Sequence, residues 1–370
     1  MQRTINLSAS RFAHPGHYVP VLQDHVGERG ALAELARATP AVLSRLMPMI
    51  QILGGDTRSL SRNAINDHIS RIASVLGADR PWYLDFIREE PGRLIETKRG
   101  AFTVAELAYR AARRRQLAFV PVAWTWGDEA HLNRASNAAI DHHRGMALRH
   151  PILGAAPAAG ISPTAPVERA LSGTGLGHSD VDLLLDLGYI GPDTTLSAPR
   201  IERTLHRYLG LGPWRRICLM GSSMPKSLSE VAEDSEAYLP RREWALWSSL
   251  SPELRRAVCF GDYGVQHPAP PQDAGLAMGM RANIRYTVDK SHLIARARGA
   301  VNQEGPHQYR ELCKRLRGYD DFDGSGASCG DDTIVACAEG LVAPRSQNMW
   351  RQAGTSRHLT VVSKQALDAR

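Results

Sequence analysis

Apolar residues in this chain fall into short runs separated by longer amphipathic stretches. Eight runs have the length and apolar density of buried strands: 18–23 (YVPVLQ), 47–53 (MPMIQIL), 82–86 (WYLDF), 118–124 (AFVPVAW), 145–149 (GMALR), 181–187 (VDLLLDL), 216–222 (RICLMGS) and 257–263 (AVCFGDY). Between them, apolar positions recur at helical spacing. Leu32, Leu35 and Ala36 mark a helix over 28–38, and Ile65, Ile69, Ile72 and Leu76 one over 59–76. The stretch 103–115 opens with Thr103 three residues before Glu106, the spacing of a capping box. Further helices are expected over 130–142, 164–172, 196–209 and 240–249. Strands that alternate with helices call for a parallel sheet, because parallel neighbours need a crossover connection. Eight such units close a barrel. The rival is an open doubly wound sheet, but no GxGxxG follows the first run, so a dinucleotide-binding version has no support. The expected fold is therefore α/β, a (β/α)8 TIM-like barrel.

After residue 263 the pattern changes. Residues 264–280 read as a Pro-, Gly- and Ala-rich loop, and 281–299 as two strands turning near Asp289-Lys290. A helix over 304–317 is expected to be the eighth of the barrel, and 320–332 is an acidic, Gly-rich loop. The tail is read as helices near 332–340 and 346–353 and a strand over 358–363 (HLTVVS). The whole chain, 1–370, is expected to be one barrel domain. A hairpin insertion over 264–303 and the tail over 318–370 would pack over the barrel mouth as a lid.

Composition narrows the class. Hydrophobic residues make up 43% of the chain and charged residues 22%, an ordinary globular profile. No apolar run approaches the roughly 18 residues a membrane helix needs, and the first residues lack the apolar core of a signal peptide. A cytoplasmic protein without a membrane partner is expected. The five cysteines fit no CxxC or Cys/His zinc spacing, and Cys218 and Cys259 fall inside strand runs as small core residues. A net charge of +7 favours anionic partners. The densest basic run, Arg110, Arg113, Arg114 and Arg115, reads as a solvated helix face, and no nucleic-acid-binding module is recognisable.

In a barrel, chemistry gathers where the strands end. Asp85, Arg149 and Asp186 finish or nearly finish their runs, Ser222 and Ser223 follow the seventh, and Asp262 and Tyr263 close the eighth. Gln23 and Gln51 hold similar places on the first two. These residues are read in two ways. One is an internal charge network, with Arg149 paired to Asp85 or Asp186, since unpaired buried charges are costly. The other is a site for a charged ligand. Three chemistries then compete. Asp85, Asp186 and Asp262 could hold a divalent cation such as magnesium for phosphoester hydrolysis. Two of the three could be an acid/base pair for glycosidic cleavage. Arg149, Arg285 and the Gly221-Ser222-Ser223 turn could clamp an anion. Neither His142-His143 nor the DFDGSG stretch at 321–326 reads as a metal site, the first being a helix-end pair and the second a loop.

The succession VDLLLDLG, ICLMGSSMP, RREWALW, FGDYG, NIRYT and WRQAGTSRHLT resembles the phage "beta protein" family, in order and spacing, from residue 18 to about 363. The family-like positions are Asp85, Arg149, Asp186, Ser223, Arg242, Asp262, Tyr263, Arg285, Tyr286, Trp350, Arg351, Gly354 and His358. The double His common near the family's end is Arg357-His358 here, and Gln51 stands where an acidic residue is common. The resemblance suggests a setting in phage–host conflict and implies no particular reaction. It also draws the tail into the site, with Arg285, Tyr286, Trp350, Arg351 and His358 beside Arg149, Ser222, Ser223 and Tyr263 as ligand-binding residues. Arginine next to tyrosine or tryptophan suits a phosphate or a stacked base. The resulting expectation is a phosphate-bearing or nucleotide ligand, and a hydrolase using Asp85, Asp186 and Asp262. A non-catalytic protein that recognises a phage component, a partner protein or nucleic acid is the alternative.

Overall fold

The computed structural model describes residues 18–52, 61–86, 94–153, 162–269 and 281–369. Its strands are, in chain order, β1 (Val19–Gln23), β2 (Met49–Gln51), β3 (Trp82–Asp85), β4 (Ile95–Thr97), β5 (Gly100–Phe102), β6 (Phe119–Trp124) and β7 (Met146–Pro151). They continue as β8 (Val181–Tyr189), β9 (Arg216–Ser222), β10 (Ser235–Pro240), β11 (Val258–Asp262), β12 (Arg281–Thr287) and β13 (Ser291–Ala300). Eight of them, β1-β2-β3-β6-β7-β8-β9-β11, pair in parallel and in chain order, and β11 closes back onto β1. They are the eight apolar runs of the sequence. The fold is the (β/α)8 barrel. The small β4–β5 hairpin after β3, and β10, are additions that the apolar pattern did not announce. Both are short and partly exposed, so neither carries a buried face to read.

Strand alternation divides the barrel into two apolar layers. Val21, Met49, Val122, Ala147, Leu184, Cys218 and Cys259 cluster with one another inside it. Their neighbours, such as Leu22, Ile50, Leu84, Leu148, Leu183 and Phe260, point out and join the helices. The outer layer is built by α1 (Val26–Ala38), α2 (Pro40–Ser44), α3 (Arg62–Leu76), α4 (Val104–Arg114), α5 (Glu129–His142), α6 (Ala165–Ser172), α7 (Ala198–Leu209), α8 (Arg242–Ser248) and α9 (Pro252–Ala257). The expected capping box of α4 forms. Thr103 Oγ1 accepts from the Glu106 N–H at 3.2 Å, and Glu106 Oε2 accepts from the Thr103 N–H at 2.8 Å.

The last stretch corrects two expectations. The helix expected over 304–317 is α11 (Gln308–Leu316), which follows the short α10 (Val301–Glu304). It does not complete the barrel. Its Tyr309, Leu312 and Leu316 pack with Ile284 and Leu293 of the β10-β13-β12 sheet and with α12 (Cys329–Ala338), forming a second core. The strand expected over 358–363 does not exist either. Residues 347–368 are one helix, α13 (Gln347–Asp368). Its Leu359, Val362 and Ala366, spaced three and four apart, enter the barrel–helix core, and α13 takes the place the eighth barrel helix would occupy. The β-branched run LTVV reads as a strand on its own, but packing against α1 and β12 decides for helix. That packing is close enough to require glycine. A Cβ on Gly27 of α1 would lie 2.6 Å from the Asn348 carbonyl oxygen, and one on Gly354 would lie 2.7 Å from that of Arg285. The family-like Gly354 is thus a position of contact between α13 and β12.

No disulfide joins the cysteines; Cys218 and Cys259 are buried in the barrel strands, as expected. No helix among the described residues is long and apolar enough to cross a membrane.

Candidate functional site

Inward-pointing residues at the C-terminal ends of the strands form a connected polar layer. Arg149 of β7 is its centre. The guanidinium donates to Asp186 Oδ2 from Nε (2.9 Å) and Nη2 (2.6 Å), and to Asp85 Oδ2 from Nη1 (2.8 Å). Tyr263 donates its hydroxyl proton to Asp186 Oδ2 at 2.6 Å and accepts from Arg149 Nη2 at 2.5 Å. Asp85 also accepts from Gln51 Nε2 (3.0 Å) and from the Trp124 indole N–H (2.8 Å). Gly188 N–H takes the second Asp186 oxygen at 2.8 Å. Both carboxylates are therefore engaged by one cation and a set of neutral donors, all of them buried except the half-buried Gly188. Burial alone would lower the Arg149 pKa, but Tyr263 and the two carboxylates outweigh it and hold it above the ordinary value. Burial raises the Tyr263 pKa well above its usual value, so the phenol stays protonated. Above this layer Trp126, half exposed, stacks on Trp124 with centroids 5.5 Å apart at 9°.

The opposite end of the barrel is closed by a second polar layer that the sequence reading did not single out. Asp182 accepts from Tyr83 OH (2.7 Å) and from Arg215 Nε and Nη2 (both 2.8 Å), and Arg216 donates to Tyr83 OH at 2.9 Å. Burial alone would raise the Asp182 carboxyl, but the two arginines overcome it and hold it below the usual range.

Asp262 does not join Asp85 and Asp186. It ends β11 and Tyr263 follows it, and consecutive residues of extended chain point to opposite faces. Tyr263 points into the mouth and Asp262 out towards α13. There it accepts from Tyr18 OH and from the Gly264 N–H (2.9 Å), and lies 2.9 Å from His358 Nε2. His358 Nδ1 lies 2.9 Å from Thr287 Oγ1, so the chain of contacts fastens α13 and β12 to the barrel. Asp262, His358 and Thr287 are all buried. A magnesium centre made of Asp85, Asp186 and Asp262 therefore does not fit the geometry. Among the described residues no group of three or more His, Cys, Asp or Glu side chains is placed to hold a metal ion.

The expected anion-binding turn is also engaged internally. Ser222 Oγ donates to the Gln266 carbonyl (3.0 Å) and accepts from the Met224 N–H (3.1 Å). Ser223 Oγ bonds Glu243 Oε2 (2.6 Å) and accepts from the Arg242 N–H (3.2 Å), which braces β9 against α8. Tyr286 is buried in the second core. It donates to Asp331 at 2.6 Å, under the Arg357 guanidinium, 4.6 Å from its ring centroid. Arg357 itself pairs with Asp323 (2.7 Å) and Asp331 (3.3 Å), so the DFDGSG stretch supplies an ion pair.

Arg285 and Arg351 are placed differently. They line a cleft beside the barrel mouth with Val265, Gln266, Asn283, Tyr309, Gln347 and Trp350. Arg285 Nη1 donates to the Val265 carbonyl at 2.5 Å and to Gln266 Oε1 at 3.3 Å; these residues stand two and three positions beyond Tyr263. No ion pair among the described residues engages either guanidinium. Burial, and then repulsion from Arg351, lowers the Arg285 pKa to about 10. Trp350 is 3% exposed and stacks on Tyr309 with centroids 4.7 Å apart. It is too buried to stack on a ligand base, and its indole N–H finds no acceptor among the described residues. On the α1 side Arg351 interacts with the Glu28 carboxyl, which burial pushes up to about 8, so that at pH 7 its neutral form prevails and does not compensate Arg351.

The class of protein is thus a (β/α)8 barrel with a charged, internally bonded mouth and a cationic cleft beside it. The chain belongs to the Beta protein family, whose model matches residues 18–364. No match is found among curated proteins. Among solved structures, the triosephosphate isomerase of Bartonella henselae aligns over 66% of this chain and 91% of its own, at 10% sequence identity and a TM-score of 0.34.

Proposed function

We propose that this protein binds a small phosphate-bearing ligand, of nucleotide or sugar-phosphate size, at the C-terminal end of its barrel. Arg285 and Arg351 hold the anionic group. The observation that carries this reading is the pair of guanidiniums lining one cleft with no ion-pair partner among the described residues. Two like charges held close are costly until an anion joins them, and a planar guanidinium matches phosphate oxygens two at a time. In this reading the Asp85–Arg149–Asp186–Tyr263 layer is a rigid floor, because its charges already satisfy one another. Binding, rather than metal-assisted hydrolysis, is the activity that this arrangement supports.

The test is calorimetric titration with inorganic phosphate, ribose 5-phosphate and adenosine monophosphate, on wild type and on Arg351→Gln and Arg285→Gln. A charge-assisted hydrogen bond contributes about 1.5–3 kcal/mol, so each substitution is expected to weaken binding roughly 10- to 100-fold. Arg351→Gln is the cleaner variant, because no hydrogen bond or ion pair among the described residues is lost with it. If wild type binds none of the three, or if both variants bind as wild type does, the cleft is not the site.

A further inference from the structure

The outer face of α3, α4 and the β4–β5 hairpin carries five arginines, Arg62, Arg99, Arg110, Arg114 and Arg115, whose guanidiniums meet neutral groups or none at all among the described residues. Arg110 lies over the Phe102 ring, 4.0 Å from its centroid. Arg114 Nη2 donates to Asn66 Oδ1 at 3.0 Å, and Arg115 Nη2 to Ser70 Oγ at 2.6 Å. The Arg62 and Arg99 guanidiniums make no hydrogen bond or ion pair among the described residues, their bonds being backbone ones to Asn66 and Thr97. Other arginines, at scattered places on the surface, meet acids: Arg256 with Glu253, Arg281 with Glu233, Arg315 with Asp234, and Arg317 with Glu339. Even on α4, Arg113 is paired to Asp141. The five are a face, not a run. Arg62 comes from the start of α3 and Arg99 from the hairpin turn, and both lie close enough to Arg114 to depress its pKa together with Arg110 and Arg115, after burial.

We infer that this face binds the phosphate backbone of nucleic acid, independently of base sequence. Repulsion among exposed guanidiniums is relieved by a polyanion, and releasing its condensed counterions drives the association. Arg110 and Arg114 are one helical turn apart, about 6 Å along the axis, close to two nucleotide steps of one strand at about 3.4 Å each. The exposed aromatic residues, Trp126, Tyr189 and Tyr238, lie on other elements, so the face offers no platform for unpaired bases. Among the described residues it also lacks the cluster of apolar anchors that a membrane surface would engage, Leu94 being the one large exposed hydrophobic residue of the hairpin segment there. This surface is separate from the cleft of Arg285 and Arg351.

The experiment is fluorescence anisotropy of a labelled 20-base-pair DNA duplex against the full chain, between 50 and 200 mM NaCl. Five phosphate contacts give a slope of log affinity against log salt of about −4.5, hence a roughly 500-fold loss over that range. The triple variant Arg62→Gln/Arg99→Gln/Arg110→Gln should flatten the slope by about 2.7. Arg351→Gln should leave it unchanged, and a duplex of unrelated sequence should bind equally. The inference is overturned by absence of binding at 50 mM NaCl or by a triple variant that binds as wild type does. It is equally overturned if Arg351→Gln abolishes duplex binding, or if phosphatidylserine vesicles bind through these arginines while the duplex does not. The phosphate titrations of the cleft are read separately, so either reading can fail alone.

Discussion

Arg149→Met is expected to destabilise the protein by about 3–5 kcal/mol, the cost of removing one partner from a buried ion pair. Arg149 is the single cation between Asp85 and Asp186, and the three residues are 0–7% exposed. Without it two carboxylates face one another in the barrel mouth, with Gln51, Trp124, Tyr263 and the Gly188 N–H as their remaining donors. For a chain of 370 residues this corresponds to a fall in Tm of roughly 4–6 °C. Asp186→Asn should cost much less. It leaves Arg149 and Asp85 as a one-to-one pair and keeps an amide in place of the carboxylate. The triple variant Arg149→Met/Asp85→Asn/Asp186→Asn should recover much of the loss, because no charge is then left unpaired. Urea denaturation of the three variants gives the ranking. If Arg149→Met matched wild type, the mouth layer would not be the rigid floor described above.

The strands and their order were legible because a barrel strand is buried on both faces, so each one is an apolar run with a polar residue at its end. Asp85, Arg149, Asp186 and Tyr263 were legible for the same reason. What the runs did not show was which way adjacent polar residues point. Asp262 and Tyr263, or Arg285 and Tyr286, read as pairs in the sequence, yet alternation sends one of each to the site and the other into a core. Applied strictly, that period of two separates them without any structure. Two other features lie beyond local pattern. The helix over Leu359–Val362 is decided by its contact with α1, three hundred residues away, and no short-range period can register it. The arginine face is assembled from Arg62, Arg99 and the α4 run, so the run alone reads as an ordinary solvated helix. Gln51 is a case where the departure from the family pattern falls inside the network. Its Nε2 serves Asp85, while its Oε1 is buried with no partner among the described residues.

Glu28 gives the second large effect, and it depends on pH. The residue lies in the first turn of α1, where a glutamate ordinarily faces water, but here it is 1% exposed. One oxygen takes a backbone hydrogen bond from Gln23, and Oε2 has no partner among the described residues. Facing groups do little to offset its burial. Arg351 lies nearby without forming an ion pair, Arg29 is committed to Asp24 at 2.5 Å, and His25 is pushed down to about 4 by burial and then Arg351. Burial accordingly raises the Glu28 pKa from 4.5 to about 8. A carboxyl whose pKa is raised by folding favours the folded state fully below its unfolded pKa. That contribution is lost as pH climbs through the folded one, at about 1.4 kcal/mol per unit. Between pH 4.5 and about 8 wild type should lose stability on the order of 4 kcal/mol from this residue, and Glu28→Gln should not. The difference between the two urea-denaturation curves should therefore open steadily from pH 5 to pH 8, in favour of the variant. Phosphate affinity should change as well. Above pH 8 an ionised Glu28 stands beside Arg351, so wild type should bind phosphate more weakly there than at pH 7, and less tightly than Glu28→Gln. Parallel stability curves across that window would place the Glu28 carboxyl in contact with water or a cation, and the cleft would then carry a single net positive charge at pH 7.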